Sequence, residues 1–185
     1  MDDQLRAGCQ FTLERAVNLG DIDADLAAKG AFVGDADDPA VHGGFDAAFN
    51  YHDGEVRELL AQAAPDGIDV YFDNVGGEIL DAVLGRLAHK ARVVLCGVIS
   101  SYLTGEHPGP ANYVNLLSKS ASMQGFNALD MWERFEDAYA DLRRWEAEGL
   151  LVHRETVLDG LESCVEALNG LFTGANIGKM LVKVN

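Results

Sequence analysis

The chain has 185 residues, a formal net charge of −16, 48% hydrophobic residues and 24% charged residues. That length is one domain, or one domain with an appendage, and it carries enough apolar surface to bury a core without disulfides or a metal. The acidic balance argues against nucleic acid or an anionic membrane surface as partner, since both repel net negative charge.

Residues 1–43 are rich in Asp and weakly periodic. Leu5, Cys9, Leu13, Ala16 and Val17 form one helical stripe, and Ile22, Leu26 and Ala27 a shorter one, before Gly30, Gly34 and Pro39 break the pattern. From Gly44 the pattern becomes regular. Ala47-Ala48-Phe49-Asn50 reads as a short strand, and residues 55–64 as a helix with Val56, Leu59, Leu60 and Ala63 on one face. A turn at Pro65-Asp66-Gly67 leads into a strand over residues 68–72, followed by Asp73-Asn74-Val75-Gly76-Gly77. Ile79, Leu80, Val83, Leu84 and Leu87 mark the next helix. Residues 92–96 are a continuous apolar strand, the type buried on both faces of a parallel sheet.

Residues 97–112 form a long loop holding Gly105, Pro108, Gly109 and Pro110, a length usual for functional segments. A strand is expected over 122–126. Trp132, Phe135, Tyr139, Leu142 and Trp145 then line one face of a helix ending near Gly149. Thr156-Val157-Leu158 reads as a strand, Leu161, Val165, Leu168 and Phe172 as a helical stripe, and residues 179–184 as a half-exposed strand. Short strands alternating with helices of about ten residues mean βαβ units. The expected fold is therefore α/β, a Rossmann-like doubly wound parallel sheet with helices on both faces.

Other chemistry is thinly represented. Cys9, Cys96 and Cys164 are far apart and odd in number, so neither a disulfide framework nor a zinc ribbon is written here. The five histidines never fall at helical ligand spacing, and no metal is expected. No apolar run reaches the ~18 residues of a membrane helix. The acidic start lacks the basic and apolar parts of a signal peptide, so a cytoplasmic location is expected.

In open parallel sheets ligands bind beyond the carboxyl ends of the strands. That rule selects residues 73–77, residues 96–102 and Phe126-Asn127-Ala128, three strand ends in one row, the geometry of a nucleotide cleft. The Asp-Asn-x-Gly-Gly turn would equally serve as an ordinary strand-to-helix connection, since these are the common turn residues.

These residues carry a resemblance. The stretches at residues 44–51, 70–78, 96–102, 108–110 and 174–179 follow one another in the order and spacing of the carboxyl-terminal half of the medium-chain dehydrogenase/reductase superfamily. Within it the chain resembles the zinc-independent reductases similar to leukotriene/prostaglandin reductases and bacterial curcumin reductases. The resemblance implies NADPH as cofactor and reduction of the carbon–carbon double bond of an α,β-unsaturated ketone or aldehyde. It implies that Tyr51 contacts the 2′-phosphate, the alternative being a tyrosine packed against the sheet. It places Asn74 near the cofactor and runs Cys96, Gly97, Val98, Ile99, Ser100, Ser101 and Tyr102 along the nicotinamide half. Cys96 is otherwise expected as a buried strand-end thiol. Tyr102, beside nicotinamide and substrate, is the catalytic candidate, with an exposed loop tyrosine as the alternative. Phe126, Asn127 and Ala128 flank the nicotinamide, and Asn176 contacts the cofactor near its phosphates or simply stops a helix. Related reductases imply a homodimer through the sheet edge.

The chain also departs from that pattern. No glycine-rich triplet of pyrophosphate-binding spacing occurs in it, and residues 1–43 are not expected to form the family's separate substrate domain. The expected organisation is an atypical segment at 1–43, a partial dinucleotide-binding domain at 44–155, and a segment at 156–185 that in the family returns to the substrate domain. With the first βαβ unit missing, the strand at 68–72 is expected to show an unpaired apolar edge, and the strand at Thr156 to lack its usual partner. A truncated or frame-shifted copy accounts for the switch at Gly43-Gly44; an independent smaller module is the alternative. A quinone reductase and a non-catalytic association module stand as alternative functions.

Overall fold

The computed structural model describes residues 10–11, 31–34, 47–51, 53–102, 104–106, 108–149, 151 and 154–184. The two helical stripes expected near the amino terminus lie outside the described residues, apart from the strand residues reported next. In chain order come β1 (Gln10–Phe11), β2 (Ala31–Gly34), β3 (Ala47–Asn50), α1 (Val56–Ala63), β4 (Ile68–Asp73), α2 (Gly77–Leu84) and β5 (Leu87–Leu95). Then follow α3 (Val114–Ser118), β6 (Ser122–Gly125), α4 (Phe135–Ala147), β7 (Glu155–Asp159), α5 (Cys164–Thr173) and β8 (Lys179–Lys183).

Six strands form one sheet in the order β3-β2-β1-β4-β5-β6, and β7 and β8 form a second. Pairs β2/β3, β4/β5 and β5/β6 are parallel, whereas β1 is antiparallel to both neighbours. The sheet is thus a doubly wound α/β sheet with one reversed central strand. Its order, 3-2-1-4-5-6, is that of a dinucleotide-binding sheet. This corrects the expectation that the strand at 68–72 shows an unpaired apolar edge, because β1 lies beside it and β2 beside β1. Ala31-Phe32-Val33, an apolar run between two glycines, was the readable signal for β2. The edge of β4 is only touched: Phe11 opposite Phe72 is the one β1–β4 pair among the described residues.

Helix α2 stops at Leu84, and Leu87, expected on that helix, begins β5 and is buried there. Gly85 caps the helix and Arg86 N donates to Val83 O, a turn that swings the chain back into the sheet. The register between β4 and β5 shifts between Ile68 and Val70, and Lys90 in the irregular stretch takes φ 64°.

The core lies where α1 and α2 meet β4 and β5. Leu60, Tyr71, Val83, Leu84, Leu87 and Val93 are its most covered side chains. Arg86 binds the carboxyl end of α1 from across the sequence, its guanidinium donating to Ala64 O at 3.0 Å and Pro65 O at 2.8 Å. Both carbonyls lie just past the last turn of α1, and a cation suits that end of the helix dipole.

The carboxyl-terminal unit is built differently. The strand at Thr156 does find a partner, because β7 pairs with β8 in parallel. Glu155, Val157 and Asp159 pair with Lys179, Leu181 and Lys183, so the exposed face sets opposite charges against each other on either side of an apolar pair. The expected stripe points mostly outward: Leu161, in the 3-10 turn before α5, and Val165 and Leu168 on the helix are exposed, Phe172 is half-buried, and Ala167 is buried instead.

Candidate functional site

The site begins at Asp73, the last residue of β4. It is fully buried, and its Oδ1 accepts hydrogen bonds from Tyr71 OH at 3.1 Å, Val75 N at 3.0 Å and Gly76 N at 2.9 Å. The carboxylate thereby turns the chain sharply and satisfies amides at the start of α2, whose own N-cap, Gly76, has no side chain to do so. Gly76 and Gly77 take φ 70° and 60°, which only glycine adopts without strain.

The loop after β5 is fastened to this turn. Cys96 N and Gly97 N donate to Asp73 O at 2.7 and 3.1 Å, Ile99 N to Asn74 O at 3.2 Å, and Ser100 N to Val75 O at 3.1 Å. Gly97 is needed for that approach: a Cβ there would lie 2.8 Å from Asn74 O. Beyond it, Ile99–Ser101 forms one 3-10 turn, with Ser101 buried and Tyr102 61% exposed at its end. The third strand end joins through Phe126 N, which donates to Leu95 O at 2.8 Å, and through the Phe126 ring set edge-on to Phe72 at 6.0 Å. Asn127 caps the following turn, its Oδ1 accepting from Leu129 N at 3.1 Å, and Ala128 beside it is exposed.

The structure therefore brings Asn74, the segment from Cys96 to Tyr102, and Phe126 to Ala128 to one end of the sheet. Cys96 differs from expectation. Strand β5 ends at Leu95, so the Cys96 side chain lies past the ladder and is exposed rather than buried. Tyr51 is only 5% exposed and belongs to the core cluster, which bears out the alternative of a tyrosine packed against the sheet and leaves little of it open to a ligand. Asn176 sits apart, in the turn before β8, where its side-chain amide donates to Gly178 O at 2.7 Å.

Two contacts escaped the sequence reading. Asp81 on α2 receives Asn112 N at 2.8 Å, Asn112 Nδ2 at 3.0 Å and Arg57 Nη2 at 2.9 Å, which ties the loop carrying Pro108-Gly109-Pro110 across α2 to α1. These elements enclose a cleft of about 660 Å³ that includes Arg57, Gly77, Asp81 and Pro108. The other is Ser100, whose hydroxyl donates to Val75 O at 2.6 Å. Neither has a periodic signal, because each joins residues at least 24 positions apart. Among the described residues no group of three or more His, Cys, Asp or Glu side chains is placed to hold a metal ion. No helix of these residues is long and apolar enough to cross a membrane.

Known proteins share this arrangement. Residues 32–144, more than half of the chain, match the family described as zinc-binding dehydrogenase. The NADPH-dependent curcumin reductase of Escherichia coli is 38% identical over 147 residues, 76% of this chain and 43% of that protein. The NADP(+)-dependent 2-alkenal reductase of Nicotiana tabacum is 41% identical over 143 residues, 77% of this chain and 42% of that protein. The crystal structure of CurA from Vibrio vulnificus in complex with NADPH superposes with a TM-score of 0.69 at 40% identity, covering 77% of this chain and 44% of CurA. The chain spans less than half the length of these relatives. With this family match, and with the strand order and strand-end loops of a dinucleotide-binding sheet, the chain belongs to the zinc-binding dehydrogenase family of medium-chain dehydrogenases/reductases, alongside the curcumin and alkenal reductases.

Proposed function

We propose that the chain forms the nicotinamide side of an NADPH-dependent oxidoreductase that reduces the carbon–carbon double bond of α,β-unsaturated ketones or aldehydes. One observation carries this reading: in a chain about 40% identical to reductases of that kind, the ends of β4, β5 and β6 are bonded into one rim. The residues present fit the nicotinamide half of the cofactor, because Cys96, Val98, Tyr102, Asn127 and Ala128 are exposed along that rim. For the pyrophosphate the sequence has no glycine-rich strand-to-helix turn, so affinity for NADPH is expected to be low.

Bound NADPH would supply the hydride for the substrate's β-carbon. The chain's own task is to orient the partners and to meet the negative charge that develops on the carbonyl oxygen. The Tyr102 hydroxyl is the group assigned to donate a hydrogen bond to that oxygen, and solvent at the open rim supplies the proton for the α-carbon. Asn74, half-buried between the first two loops, is assigned to the cofactor side, with Phe126 as an apolar wall. Tyr51 and Asn176 keep the phosphate-side roles implied by their matching positions. A cytoplasmic location goes with this reading.

Titration of the purified chain with NADPH, followed by nicotinamide fluorescence with NADH as control, tests it. Saturable micromolar binding that prefers NADPH supports the reading and leads to enone turnover as the next assay. An absence of binding at millimolar NADPH overturns it for this chain. Turnover of quinones but not enones would favour the related quinone-reductase activity. A second reading, an association module, is favoured by the open edge of β6 next to the exposed Leu129 and Trp132. A homodimer in sedimentation with no cofactor binding would point there.

A further inference from the structure

Ser100 sits where the first two strand-end loops meet. Its backbone amide and its hydroxyl donate to one acceptor, Val75 O, at 3.1 and 2.6 Å. The hydroxyl occupies a notch made by two glycines: a Cβ on Gly77 would lie 3.0 Å from Ser100 Oγ, and one on Gly76 3.6 Å away. The glycine pair therefore serves a side chain of the neighbouring loop as well as the turn into α2. One residue beyond Ser100, the 3-10 turn closes, with Ser101 N donating to Val98 O at 2.9 Å and Tyr102 N to Ile99 O at 3.1 Å. Tyr102 thus stands on a single short turn, and Ser100 is the side chain that bonds this turn to the loop after β4.

We propose that Ser100 is a positioning residue of the strand-end cleft: its hydroxyl, seated against Gly76 and Gly77 and donating to Val75 O, fixes the turn that carries Tyr102. Its side chain is turned into the protein, so it acts through Tyr102 rather than on a ligand. The consequence for chemistry rests on the role proposed for Tyr102, whereas the clamp itself needs no ligand to be tested.

The test is amide hydrogen exchange on the ligand-free chain, comparing wild type with Ser100→Ala, Ser100→Thr and Gly77→Ala. Ser100→Ala is expected to speed exchange at residues 100–102 by about tenfold, the scale of one lost hydrogen bond, while amides in the centres of β4 and β5 stay within about twofold. Ser100→Thr keeps a hydroxyl and is expected to restore slow exchange. Gly77→Ala crowds the notch from the other side and is expected to reproduce the loosening; should it fail to fold, the two Ser100 variants decide. Unchanged exchange at 100–102 in Ser100→Ala, or identical behaviour of the Ala and Thr variants, overturns the clamp. NADPH titration of the same set separates the two ideas. Affinity lost with Ala and recovered with Thr supports positioning, and a loosened turn with unchanged affinity overturns it. A wild-type chain that binds no NADPH sinks the proposed function instead, and the exchange comparison still decides the clamp.

Discussion

Helices α2 and α5 carry similar apolar stripes and end up in opposite surroundings. On α2, Ile79, Leu80, Val83 and Leu84 are all buried. On α5, Val165 is 69% exposed and Leu168 56%, and the helix lays its small residues on the strands instead, with Gly170 close to Met180. The contrast extends to whole regions. Between Tyr51 and Val93 two helices close over two adjacent strands and make the core, whereas beyond Asn127 Ala167 is the buried apolar residue among those described. Periodicity states that a helix has an apolar face; a second layer opposite that face decides whether water leaves it. A two-stranded sheet under one helix is too narrow to provide that layer.

The sharpest way to break this comparison is a truncation in each region, read as the urea midpoint at constant slope. Leu84→Ala should cost about 2–5 kcal/mol, because a fully buried leucine leaves a cavity that its neighbours cannot fill. Asp73→Ala should cost about 3 kcal/mol, since it strands the Val75 and Gly76 amides and takes a partner from the Tyr71 hydroxyl, and Asp73→Asn should recover part of that. Arg86→Ala, which uncaps α1, is expected to cost about 1 kcal/mol. At the small end, Leu168→Ala and Trp132→Ala should each shift stability by less than about 0.5 kcal/mol. A large loss from either would mean that those side chains are covered in solution, and the contrast between the regions would fall.

The aromatic residues of α4 show an intermediate case. Trp132, Phe135 and Tyr139 were expected on one helical face, and they do follow one another along the surface. Ring centroids stand 5.2 Å apart for Trp132 and Phe135 and 6.3 Å for Phe135 and Tyr139. Trp132 itself lies in the 3-10 segment Ala128–Arg134 that precedes the helix. With Trp132 69% exposed, these rings cover one another more than they bury against the sheet.

Much of the site could be read from the chain. The strands at 68–72 and 92–96 and the loops after them carry local signals, β-branched runs and then glycines and Asx residues where the backbone must turn, and the strand at 47–50 shows as a short apolar run. Those signals, with the strand expected at 122–126, place Asn74, Gly97, Tyr102 and Phe126 at one end of a sheet. Strand β1 was not legible, because two residues give periodicity nothing to act on, and β2 left only the apolar run Ala31-Phe32-Val33, whose place depends on partners far along the chain. Nor was the exposure of Cys96, which turns on a strand ending one residue earlier than its apolar run suggests.

The sequence by itself determined the alternation of strands and helices, the order of the loops and the chemistry each loop can offer, because these depend on neighbours within a few residues. Only the tertiary structure decided that β1 runs against its neighbours, that α2 is covered while α5 is bare, and that Asp81 and Ser100 bind loops about 25–31 residues away. Those outcomes depend on which surfaces meet, and a hydrogen bond or a buried face has no meaning until its partner has been brought opposite it.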